Sequence, residues 1–126
     1  MSNAQLVAQI DNAIGAHGLW KMQLRSAIRS GRSDMTVPQA SGDCNCKFGQ
    51  WLHDPAFDPS HRSTVPHTVI GRVHADFHRE AGKVLQLALG GSGAAANAAL
   101  EGPFTEVSEK LVRALLKWKS ELRIAA

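Results

Sequence analysis

Three stretches of this chain set apolar side chains three or four residues apart, and that spacing decides what it can fold into. Leu6, Ile10, Ala13, His17, Trp20, Leu24 and Ile28 make the first row. His67, Ile70, His74, Phe77, Ala81, Val84 and Ala88 make the second, and Phe104, Val107, Leu111, Leu115, Trp118 and Leu122 the third. Steps of three and four hold a side chain on one face of an α-helix, whereas a strand needs alternation with a period of two, and none is sustained. Breakers punctuate the rows. Gly31, Ser33 and the stretch "DMTVPQASGD" predict a connecting loop over residues 30–43, Pro66 suits a first helical turn, Gly90-Gly91 ends the second row, and Pro103 is expected to open the last helix. "CNCKFGQWLHD" reads as a short helix stopped by Pro55 and Pro59, and "SGAAANAALEG" as a short Ala-rich helix with Ser92 at its N-cap. Long amphipathic helices must hide their stripes against one another, so the expected fold is all-α, an antiparallel helical bundle with additional short helices, in a single domain over residues 1–126.

Charge and cysteine usage narrow the function. A formal charge of +3 invites a nucleic-acid reading, but Lys and Arg are spread along the chain beside Asp and Glu, with no basic arm, so no nucleic-acid partner is expected. No apolar run approaches the ~20 residues that cross a bilayer, so neither membrane insertion nor a signal peptide is expected, and the protein is read as cytoplasmic. Both cysteines, Cys44 and Cys46, fall in "CNC". A disulfide between residues two apart would close a strained loop, so the pair points to metal or redox chemistry instead.

The histidines sharpen this. His17 takes a core position in the first row, and His74 and His78 lie at i and i+4 on the inner face of the second. One buried histidine is ordinarily a satisfied polar group. Three unpartnered ones would cost on the order of a few kcal/mol each, against a total stability of ~5–15 kcal/mol. A shared metal removes that cost, one ring nitrogen serving as ligand while the other donates to a carbonyl or carboxylate. Zinc takes four donors, often a mixture of His and Cys. Cys46 heads "CKFGQW", where Phe48 and Trp51 stand three apart and carry it inward, while Cys44 lies back toward the loop as an ordinary thiol. His53 and His61 sit among prolines and charges as solvated groups. His67 precedes His74 by two helical turns, ~10 Å along the axis, too far to share an ion, and reads as structural. A di-iron carrier would need inward carboxylates, but Asp76 and Glu80, the i, i+4 pair, are off the stripe.

In order, "HGL" at 17–19, "CKFGQW" at 46–51 and "HADFH" at 74–78 resemble the pattern of the chemoreceptor zinc-binding domain of bacterial signalling proteins. The resemblance covers nearly the whole chain; the second thiol, Cys44, departs from it. It implies a four-helix bundle in which His17, Cys46, His74 and His78 bind zinc with Trp51 packed nearby. It also implies a non-enzymatic sensory domain that reports zinc or oxidants such as hypochlorite. The partner would be a chemoreceptor or diguanylate-cyclase module, in chemotaxis or cyclic-di-GMP control, and the domain a homodimer. The alternative is a structural zinc site in a protein-interaction module.

Overall fold

The computed structural model describes residues 2–125, and among the described residues every regular element is helical, with no strand. In order these are α1 (Asn3–Gly18), α2 (Trp20–Ser30), α3 (Val37–Ser41), a 3-10 turn (Asp43–Asn45), α4 (Lys47–Leu52), α5 (Pro59–Arg62), α6 (Val65–Leu89), α7 (Gly93–Ala99), a π turn (Leu100–Phe104) and α8 (Thr105–Ala125). The expected stripes form the core: Leu6, Ile10, Leu24, Ile70, Phe77, Val84, Phe104, Leu111 and Leu115 are all buried. Burying each such side chain stabilises by ~1.5–3 kcal/mol, which makes these rows the main support of the fold.

The chain departs from the expected boundaries in three places. The first row is carried by two helices, parted at Leu19, which keeps right-handed backbone at φ −79°, ψ −16° while its N–H donates to Ala16 O at 3.3 Å. The stripe survives because a one-residue interruption hardly alters its phase. Pro103 does not open a helix but lies inside the π turn. Lacking an N–H, and with a ring that would crowd the carbonyl four residues back, it is accommodated by the wider turn, whose Leu100 carbonyl accepts from Thr105 Oγ1 at 2.7 Å. Lastly, the expected loop over residues 30–43 contains α3, held at its start by a capping box. Thr36 Oγ1 accepts from the Gln39 N–H at 3.3 Å and Gln39 Oε1 from the Thr36 N–H at 2.9 Å.

Side-chain contacts fix the direction of the long helices. Asn3 Nδ2 donates to Leu122 O at 3.0 Å, Lys119 pairs with Asp11 at 2.8 Å, and Glu101 takes Lys21 at 3.3 Å and Arg25 at 2.8 Å. The C-terminal helices therefore run antiparallel to α1 and α2. They are antiparallel to α6 as well, since His67 meets Trp118 and Phe77 meets Phe104. Solvent screens exposed ion pairs of this kind, so they select register more than they stabilise.

α3 closes over α6 at Gly82, where a Cβ would fall 1.9 Å from Ser41 Oγ and 3.2 Å from its Cα. We expect Gly82→Ala to lower stability by ~1–3 kcal/mol, through overpacking at this approach. Gly15→Ala, on an exposed part of α1 where a Cβ meets nothing within 4 Å, should instead raise it by ~0.5–1 kcal/mol. Urea denaturation of the two variants checks both signs.

Candidate metal centre

Three histidine rings and one thiol converge where α1, α4 and α6 meet. His17 comes from the last turn of α1, His74 and His78 from one face of α6, and Cys46 is the N-cap of α4. His74 Nε2 lies 3.1 Å from His17 Nε2, 3.1 Å from His78 Nε2 and 3.2 Å from Cys46 Sγ, and all four donor atoms lie within 4.8 Å of one another. A tetrahedral ion at zinc's usual bond lengths would set its donors ~3.3–3.6 Å apart, close to what is seen. The three rings are buried.

Backbone carbonyls decide which nitrogen faces inward. His17 Nδ1 donates to Ala13 O at 2.8 Å and His78 Nδ1 to Ala40 O at 3.0 Å. A carbonyl oxygen only accepts, so both protons sit on Nδ1 and both Nε2 atoms turn a lone pair toward the centre. Burial keeps the rings neutral. It is the main cause that lowers His17 to about 4 and His74 to about 2, with the neighbouring histidines adding to the effect, and it lowers His78 too. Several lone pairs therefore face one point with too few protons to share between them. A cation is what such a donor set fits, and the four residues could hold a metal ion.

Cys46 is held by its own helix. Its Sγ accepts from the Gly49 N–H at 3.3 Å and, as a thiol, donates toward Asp43 O at 3.6 Å. Burial pushes the thiol up, and the N–H groups of Gly49 and Phe48 pull it partly back. Gly49 is indispensable to the approach, since a Cβ there would lie 1.7 Å from Asp43 O and 3.1 Å from His74 Cε1. Aromatic rings close the periphery: Phe48 meets His74 edge-on at 5.1 Å, Phe77 meets His17 at 5.0 Å and Trp20 meets His78 at 5.2 Å.

The remaining histidines stand apart from this cluster. His67 Nε2 bonds Leu52 O at 2.9 Å between Phe57 and Trp118. His61 lies on α5, and Cys44 is exposed. His53, expected to be merely solvated, pairs with Asp43 at 3.1 Å. Sequence reasoning missed the supporting groups, the carbonyls of Ala13, Ala40 and Asp43, because a backbone acceptor carries no residue signature.

Residues 17–85 match the family model of the chemoreceptor zinc-binding domain. No curated protein and no solved structure was found to match the chain.

Three histidines kept neutral in the fold but titrating near 6.5 when unfolded give the metal-free protein a defined acid response. Their contribution is complete above pH 6.5 and is lost as pH falls, because the unfolded chain takes up protons that the folded one refuses. For His17 the loss continues down to about pH 4, and for His74 further, to about 2. Urea unfolding in the presence of a chelator should show stability falling steadily from pH 7 toward pH 4. A flat profile across that window would count against buried, neutral rings.

Proposed function

Because this chain belongs to the chemoreceptor zinc-binding domain family, a signalling domain whose metal is zinc, we propose that it is a sensory or regulatory domain. Its zinc is held by His17, Cys46, His74 and His78, and it reports zinc or an oxidant such as hypochlorite to a chemoreceptor or diguanylate-cyclase module. The output would lie in chemotaxis or cyclic-di-GMP control, in the cytoplasm. The observation that carries the reading is the convergence of three Nε2 atoms and one Sγ with the outer nitrogens of His17 and His78 tied to carbonyls. We read α1, α2, α6 and α8 as the long members of the family's four-helix bundle.

Four protein donors fill a tetrahedral site and leave no place for a water nucleophile, which favours sensing or structure over hydrolysis. The single sulfur is the reactive ligand. Zinc stabilises its thiolate form, the nucleophile toward oxidants. A cleft of about 320 Å³, bordered by Trp20, Met35, Gln39 and Asn45, reaches Cys46 and His78, giving a small oxidant a way in. Attack of the Cys46 thiolate on hypochlorous acid yields sulfenic acid and chloride, sulfur losing two electrons to chlorine. Cys46 then ceases to be a good donor, and α4, of six residues, is the element freed. The rival reading, a structural zinc site in an interaction module, draws on the same carbonyl anchors and buried rings; the response to oxidant separates the two.

We expect one tightly held zinc per chain, largely lost in His74→Ala and His78→Ala, by metal analysis after dialysis. Hypochlorite should release it from the parent protein and from Cys44→Ser, as followed with a chromogenic zinc indicator. Cys46→Ser should bind poorly and show no oxidant-linked release; release that instead depends on Cys44 would overturn the ligand assignment.

The second copy in a homodimer would cover the apolar face where Val65, 75% exposed, and Val69, 40% exposed, border a groove with Ala114 and Trp118. Val65→Glu should then shift the mass in light scattering from dimer to monomer. A parent protein that is monomeric at every concentration would sink this part of the reading.

A further inference from the structure

A second group of donors lies on the surface beside the buried cluster. Asp43, Cys44 and His53 each present one ligand atom, and these three atoms lie within 4.8 Å of one another. The chain assembles them from the segment that also delivers Cys46. Asp43 and Cys44 stand on the 3-10 turn before α4, and that turn rests directly on α4 because Gly49 has no side chain to hold it off. His53 follows Gly49 by one helical turn, its N–H donating to Gly49 O at 3.0 Å, so it emerges on the face that the turn covers. There its Nε2 sits 3.1 Å from Asp43 Oδ2.

An exposed Asp–His pair is common and contributes little by itself. The thiol brought to the same spot changes the chemistry, because oxygen, nitrogen and sulfur donors together suit a borderline-soft divalent ion and not calcium or magnesium, which take oxygen throughout. The geometry points to a second zinc site, formed by Asp43, Cys44 and His53, open to solvent at its remaining positions and weaker than the buried one. It needs no residue of the buried cluster and stands whether or not that cluster holds zinc.

Cobalt(II), a spectroscopic stand-in for zinc, tests it on the full chain. Each thiolate that binds cobalt adds near-ultraviolet charge-transfer absorption, so titration of the parent protein should give two steps, a tight one and a weaker one. Cys44→Ser should abolish the absorption of the weaker step. His53→Ala should weaken that step by at least the ~10–100-fold that loss of a mere supporting residue costs a metal site. Both positions are exposed, and far-ultraviolet circular dichroism verifies that the variants fold. Zinc competition against a chromogenic chelator should give the same two equivalents, with His74→Ala removing the tight one and sparing the weak one. Saturation of the parent protein at one equivalent overturns the site, and so does a weak step unchanged in both Cys44→Ser and His53→Ala. Survival of the tight step in His74→Ala would count against the buried assignment alone.

Discussion

Mutual repulsion among unshared electron pairs is the constraint around which this domain is arranged. His17 and His78 are each fixed by a carbonyl as the tautomer with an inward-facing acceptor, and His74 Nε2 lies 3.1 Å from both. One proton on His74 could satisfy only one neighbour at a time. Burial blocks the ordinary remedy of protonating a ring, since a charged imidazole there would be stripped of solvent. The cluster thus has a standing demand for positive charge that the protein does not itself meet, and His74 Nδ1, buried without a hydrogen-bond partner, adds to the polar cost of the site.

The packing around the site follows from keeping these groups in place. α3 has to lie against α6 so that Ala40 O can reach His78, and Gly82 allows that approach by yielding space to Ser41. α4 has to press its N-terminus between His74 and the Asp43 turn, and Gly49 allows that. The long helices contribute the apolar rows, which bury enough surface to tolerate polar groups at the centre. Small residues at two helix contacts and large ones along three rows are therefore parts of one arrangement: the large ones supply stability and the small ones let the donors meet.

Much of this was legible in the sequence wherever side chains alone carry the signal. The rows from Leu6 to Ile28, from His67 to Ala88 and from Phe104 to Leu122 foretold the buried faces, and the same periodicity placed His17, His74 and His78 inward. Phe48 is buried and Trp51 half-buried, and their spacing brought Cys46 rather than Cys44 to the cluster. The misreadings share a cause. The interruption at Leu19, the π turn that holds Pro103 and the carbonyls that orient the rings are backbone events, decided by tertiary fit. α3 is the exception, because Thr36 and Gln39 spell a capping box that was present to be read, but five helical residues are too few for a hydrophobic period to show. Likewise His53 and Asp43 are ten residues apart, and only the fold of the intervening short helix makes them neighbours.

The donors also come from distant parts of the chain. His17 and His74 are 57 residues apart, and Cys46 and His74 are 28 apart. An ion gripping all of them is a cross-link that closes long loops in the unfolded chain, and by the chain-entropy account a single covalent bridge over 57 residues would be worth ~4 kcal/mol. With two cysteines too close in sequence for a useful bridge of their own, the chain gains from such an ion the topology of a stapled protein. Unlike a disulfide, that staple can be opened by removing one ligand, with no bond in the polypeptide broken.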